Sequence, residues 1–293
     1  MNRARLVSRL FWGLFLGQFA LVCARVCLPH PLLGDARWPE GLLLLLAAGV
    51  TLAAQARQAP GQNVALAATI ILSLAGLALA VAARTPIPLG PITGPGGSPS
   101  QLLGWLPWAA ALWLVALLTS RGVARLVLRP WRTSFTYGFQ VIGLTVLLFV
   151  LFNSAFEPFA SCVEHGRAWQ SSRGGDGFIP ASFASSVEPC WFWQGGGPVG
   201  DWRGLPWIGL GLQAATALFI LIFTTPSLID KRPVSPPPDN CPLMIWGLAN
   251  LLFTTAAITR HLWSAAALAA SSAVVVTLLS LRQFGRISSR VRG

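Results

Sequence analysis

From Val64 to Ala83 the chain reads VALAATIILSLAGLALAVAA, with Thr69 and Ser73 as its polar interruptions and no charged side chain. At about 1.5 Å per residue, such a run crosses the roughly 30 Å hydrocarbon core of a bilayer. A helix on the surface of a soluble protein keeps one polar face. This one has none, so its surroundings must be apolar on every side.

Seven further segments meet or approach the same length: Leu10–Leu28, Gly41–Ala54, Gln101–Ser120, Phe135–Phe156, Leu205–Pro226, Cys241–Thr259 and Leu262–Leu281. The pattern predicts an all-α, polytopic transmembrane helical bundle of about eight spans, forming one integral membrane domain over residues 1–293. Gly41–Ala54 is the shortest and needs tilt, or extension through Pro39 and Glu40. Composition agrees. Of 293 residues, 54% are hydrophobic and 10% are charged, against about 25% charged in a soluble domain. Lipid must stand where water otherwise would.

The net charge of +12 raises the question of nucleic acid, because basic patches bind phosphate. The basic residues are instead dispersed in short clusters between apolar runs, the pattern that orients spans in a bilayer. No nucleic-acid partner is expected; the partner is the lipid bilayer, and the oligomeric state is left open. Arg3, Arg5 and Arg9 precede an apolar run from Leu10 to Val22, like the opening of a signal peptide. No clean small-x-small cleavage site follows, so an uncleaved first span is expected.

With the N-terminus in the cytoplasm, alternation places Arg3, Arg5, Arg9, Arg57, Arg121, Arg125, Arg129, Arg132, Lys231, Arg232, Arg282, Arg286, Arg290 and Arg292 inside. Arg25, Arg37, Arg84, Arg167, Arg173, Arg203 and Arg260 fall outside. This two-to-one division follows the positive-inside rule and needs all eight spans. It predicts an integral protein of a bacterial inner membrane with both termini cytoplasmic. The connections then comprise an outer loop over 157–204, a proline-stiffened cytoplasmic linker over 227–240 and a basic cytoplasmic tail over 282–293.

Nucleotide-binding glycine patterns and metalloprotease or serine-hydrolase arrangements are absent from the sequence. Three histidines, His30, His165 and His261, are too few for a di-iron membrane enzyme, whose ligands converge from several helices. Neither a metal site nor a cofactor is expected. Cys23 and Cys27 lie one helical turn apart without a His or carboxylate nearby and read as packing residues. Cys162 and Cys190 share the outer loop, either bridged or as free thiols. The scarcity of titratable residues within spans argues against an ion-coupled transporter, and no internal repeat supports one.

The polar residues in or beside spans are Gln18, Gln55, Gln140, Asn153, Glu157, Gln213 and Asn250. For the amides the ordinary reading is hydrogen bonding between helices, worth about 1 kcal/mol or less each. Glu157, one turn after Asn153 and followed by Pro158, differs. An apolar setting favours the protonated form of a carboxylic acid, the form a general acid needs. The competing reading is an interfacial carboxylate that marks the helix end. Further on, Cys190–Gly204 reads CWFWQGGGPVGDWRG. Its tryptophans either belong to an interfacial belt or form aromatic walls able to steady a carbocation by cation–π attraction, of order 0.5–2 kcal/mol.

The run from Trp191 to Gly204 resembles the Trp-x-Trp … Gly-x-Pro-x-x-Asn-Phe-x-Gly-Trp stretch of multi-span carotenoid biosynthesis membrane proteins, a family that includes carotenoid hydratases. Glu157-Pro158-Phe159-Ala160 is similar to that family's acid-Pro pair at a span end. Pro88-Leu89-Gly90-Pro91-Ile92 is similar to its Pro-Phe-Gly-x-Tyr turn. The similarity covers roughly the last two-thirds of the chain. Asp201 stands where the family has Asn, Leu205 where it has Trp, and an apolar residue near Leu79 where it has a glutamate. The resemblance implies cofactor-free addition of water to the acyclic end of a carotenoid, a hydrophobic polyene, which is lyase chemistry. Glu157 would be the acid, Asp201 the water-orienting base, and Trp191, Trp193, Trp202 and Asn153 the substrate's surroundings. The replaced glutamate sustains the alternative, a non-catalytic membrane scaffold or hydrophobic-ligand-binding protein.

Overall fold

Small side chains decide which helix sits at the centre. The fourth apolar segment and the turn that follows it carry Ala109, Ala110, Ala116, Gly122 and Ala124, small residues of the kind that let neighbouring helices approach closely. In the computed structural model this segment lies within a helix of 29 residues, Pro99–Val127 (α4), most of whose Leu106–Val127 stretch is buried. The structure describes residues 3–28, 38–82, 92–93, 99–132, 134–160, 168–169, 201–202, 205–228 and 239–291.

The other helices are Arg3–Cys27 (α1), Trp38–Gln58 (α2), Gly61–Ala82 (α3), Tyr137–Pro158 (α5), Trp207–Thr224 (α6), Cys241–Thr259 (α7) and Trp263–Val291 (α8). Around α4 pack α2, α3, α5, α7 and α8; α1 rests on α2 and α7, and α6 on α5 and α3. Seven helices are long and apolar enough to cross a membrane, and α6 contributes a shorter apolar helix over Gly209–Thr224. The protein is a multi-pass helical membrane protein of about eight spans.

Its outward faces suit lipid. Leu10 and Leu14 on α1, Leu66 and Leu77 on α3, Ile222 on α6 and Leu278 on α8 are exposed. Apolar exposure on this scale is foreign to a soluble monomer.

Polar contacts fix which helix ends lie together. Arg25 Nη1, near the end of α1, donates to both carboxylate oxygens of Glu40 at the start of α2, at 2.9 and 2.8 Å. At the other end of the bundle, Arg57 on α2 donates to Asp239 Oδ2 at 2.9 and 2.7 Å. There too Arg125 reaches Gln58 Oε1 at 3.2 Å, and Arg121 reaches Leu228 O at 3.2 Å. Helix direction therefore alternates throughout. We call the end that receives both chain termini the terminal end and the other the distal end.

At the distal end Ile92–Thr93 (β1) pairs antiparallel with Ala168–Trp169 (β2), and Asp201–Trp202 (β3) with Leu205–Pro206 (β4). The first pair ties the α3–α4 connection to the α5–α6 connection. The second explains why α6 begins at Trp207 rather than Leu205.

Two expected boundaries shift. Glu157 does not open the outer loop, because α5 continues through it to Pro158. Proline lacks the N–H that would bond the carbonyl four residues earlier, and the backbone widens into a looser turn at Phe159–Ala160. The basic tail over 282–293 is not separate from the last span either, since α8 runs unbroken to Val291. Arginines end an apolar stretch without ending a helix, in which they are good formers. The expected linker over 227–240 lies largely outside the described residues, although Thr225–Leu228 forms a short 3-10 turn closing α6.

Candidate functional site

Most of the intramembrane amides act as links between helices. Gln18 Nε2 on α1 donates to Pro39 O on α2 at 2.9 Å. Gln55 Nε2 on α2 donates to Leu118 O on α4 at 3.3 Å. Asn250 on α7 donates to Trp246 O at 2.9 Å and accepts from Ser272 Oγ on α8 at 3.4 Å. Gln140 is exposed and bonds locally to Thr136. These contacts match the ordinary reading of membrane amides.

The α5–α6 face is the exception. Asn153 and Glu157 lie one turn apart on α5, each 2% exposed, and Gln213 on α6 is 3% exposed. Gln213 Nε2 donates to Glu157 Oε1 at 3.3 Å. Among the described residues, Asn153 Nδ2 and Gln213 Oε1 are buried without a hydrogen-bond partner. A buried polar atom left unpaired costs roughly 1–3 kcal/mol, and such atoms point to a water or a ligand group. Here a donor and an acceptor are both unpaired within one cluster that also holds a buried carboxyl.

The adjoining face of α5, about 100° around the helix, is wholly different. Phe152, Phe156 and Phe159 meet Phe253 of α7 with ring centroids 5.3, 5.6 and 5.4 Å apart. These rings join Phe15, Phe19, Trp108 and the start of α2 around a cavity of about 190 Å³. Among the described residues its single ionisable lining side chain is Glu40, whose carboxylate Arg25 holds. A cavity with walls this apolar suits apolar molecules.

The structure thus brings Asn153 and Glu157 together with Gln213, but Glu157 is not part of the aromatic cavity wall. Of the other expected site residues, Asp201 and Trp202 are placed by backbone alone, in the β3–β4 pair directly before α6. That pair lies at the end of the bundle where α5 finishes. Their side chains lie outside the described residues, as do Trp191 and Trp193 entirely and the Cys162–Cys190 pair. Among the described residues no group of His, Cys, Asp and Glu is arranged to hold a metal ion.

The sequence reading missed the phenylalanine wall and Glu40. The i, i+4 spacing of Phe15 with Phe19 and of Phe152 with Phe156 is a signal, but it does not separate lining from core packing. Compared with family models, curated proteins and solved structures, the chain matches none at significant similarity.

Proposed function

We propose that the protein binds an elongated apolar molecule of polyene type, with one end of the ligand in the aromatic cavity and the rest in surrounding lipid. The observation that carries this reading is the wall itself, in which six phenylalanines and Trp108 surround a space whose one ionisable neighbour among the described residues is Glu40. A volume of about 190 Å³ compares with roughly 150 Å³ for an apolar cavity that accepts benzene. It suits the end group of a polyene rather than a full chain. The resemblance to carotenoid biosynthesis membrane proteins supports the same ligand class. An inner bacterial membrane with the terminal end in the cytoplasm accords with the distribution of arginine.

A second reading, acid-catalysed hydration of the acyclic end, is favoured by the unpaired atoms around Glu157. Glu157, as the acid, delivers a proton to the less substituted carbon of the terminal trisubstituted double bond, leaving a tertiary cation at the other carbon. Water adds to that cation, and the proton it loses returns to a carboxylate, with Asp201 in the role of base. Asn153 Nδ2 and Gln213 Oε1 supply a donor and an acceptor suited to hold the attacking water.

Expression in a host that makes acyclic carotenoids tests both readings. Binding requires pigment to co-purify above the pigment-to-lipid ratio of the host membrane, and Ala249→Phe, on the cavity wall, should reduce that excess. Pigment at the bulk ratio in both proteins would remove the binding reading. Hydration requires a hydroxylated pigment that disappears in Glu157→Gln while the variant still inserts.

A further inference from the structure

The terminal end carries a second concentration of chemistry, separate from the cavity and from Glu157. Arg121, Arg125 and Arg129 follow one another at i, i+4 and i+8 as α4 gives way to the short turn at Arg129–Trp131. Four-residue spacing keeps Arg121 and Arg125 on one side of α4, and Arg129 follows in the turn. Arg121 is 5% exposed. Its Nη1 donates to Thr225 Oγ1 at 3.3 Å and its Nη2 to Leu228 O at 3.2 Å, while Nε is buried without a partner. Arg125 Nη1 donates to Gln58 Oε1 at 3.2 Å. Arg129 Nη1 is buried and has no partner.

Every acceptor in this group among the described residues is neutral. Hydroxyl, carbonyl and amide oxygens satisfy donors but leave positive charge uncompensated, and burying such charge is costly. The carboxylates whose side chains are described are Glu40, Glu157 and Asp239. Of these Asp239 alone shares this end, and Arg57 engages it at 2.7 Å. The three arginines have no described carboxylate of their own.

Aromatic side chains complete the corner between α4 and α5. Trp131 is 48% exposed, Phe135 98% and Phe139 76%. Trp favours the headgroup level, and phenylalanines this bare belong against acyl chain rather than water. Arginines and bare aromatic side chains, carried together by the short connection that ends α4 and starts α5, match both halves of one molecule. We propose that the α4–α5 corner binds an anionic phospholipid, its phosphate meeting Arg125 and Arg129 and its acyl chain lying along Phe135 and Phe139. Basic pockets between helices at the membrane surface take such headgroups.

The test uses the full-length protein, delipidated in neutral detergent and returned to bilayers of phosphatidylcholine with or without phosphatidylglycerol. Native mass spectrometry then reads which lipid stays bound. Phosphatidylglycerol is expected to be retained and phosphatidylcholine to be lost. Arg125→Gln and Arg129→Gln should each weaken retention about fivefold, the effect of one basic residue near a charged lipid surface. Arg57→Gln removes the same charge from the same end but outside the corner, and should leave retention unchanged. Equal retention of the two lipids would overturn the proposal, as would an equal loss with Arg57→Gln, which marks a diffuse surface field. Protection by millimolar inorganic phosphate equal to that by phosphatidylglycerol would also overturn it, because the site would then take a free anion. The lipid and phosphate comparisons need no variant, so they stand even if an arginine substitution prevents folding.

Discussion

Gln213 on α6 donates from Nε2 to Glu157 Oε1 on α5 across 3.3 Å, with both side chains almost fully removed from the surface. Replacing Gln213 with Leu withdraws a donor from a buried carboxyl, a change that costs about 1–3 kcal/mol. The expected result is a lower unfolding midpoint for Gln213→Leu in detergent. Glu157→Gln, whose amide can still pair with Gln213, should lose less. Equal midpoints for Gln213→Leu and wild type would show that the contact contributes nothing.

Gly122 on α4 faces the ring of Pro242 in the first turn of α7. A methyl group placed on Gly122 would overlap the ring carbons. Neither partner yields easily, since Pro242 is a rigid ring at the helix start and α4 is enclosed by its neighbours. Gly122→Ala should destabilise the protein by about 1–3 kcal/mol, the usual cost of overpacking. Pro242→Ala alone should cost little, because proline in the first helical turn withholds no needed donor. Combining the two should recover part of the loss in a double-mutant cycle. Strict additivity would mean that the two helices separate without resistance.

His261 ends α7 with φ of 56°, in the left-handed region where glycine is usual. Its N–H bonds Ile258 O at 3.0 Å, and that of Leu262 bonds Ala257 O at 2.8 Å. Leu262 also packs on Ala257. The turn is thus a complete helix-ending motif with a strained residue at its centre. His261→Gly should raise stability by about 1 kcal/mol, at the lower end of the left-handed penalty for a side-chain-bearing residue. A lower midpoint would mean that the imidazole contributes more than its backbone strain costs; its ring lies 6.0 Å from that of Trp263.

Arg57 and Asp239 form a close ion pair, but the Arg57 side chain is 46% exposed. An exposed pair contributes about 0–1 kcal/mol and is screened by salt. Arg57→Ala should therefore shift the unfolding midpoint slightly at low ionic strength and leave it unmoved in concentrated salt. A large, salt-independent loss would show that the pair acts as a buried one.

The helices were legible wherever one physical term dominated. Cys241–Thr259 is read from the sequence and found with the same ends, because Asp239 and Asn240 precede it and a basic residue, Arg260, follows. Trp38–Gln58 was underread as Gly41–Ala54. Its polar ends are held by partners far away in sequence, Arg25 on Glu40, Leu118 O on Gln55 and Asp239 on Arg57, and no local pattern announces them. The orientation of α5 was hidden for a different cause. Apart from Asn153, Ser154 and Glu157, its second half is uniformly apolar, so nothing indicates that Phe152 and Phe156 face a cavity while Glu157 faces α6. The amides were readable as a class, but only the three-dimensional arrangement separates Asn153, with its unpaired donor, from Asn250, which is bonded.

The unbroken course of α8 to Val291 has a practical meaning for anything joined to the C-terminus. Ten residues beyond Leu281, at about 1.5 Å each, form a rod of about 15 Å rather than a flexible leash. A reporter joined beyond that helix would be held at least the length of the rod away from the apolar part of the bundle.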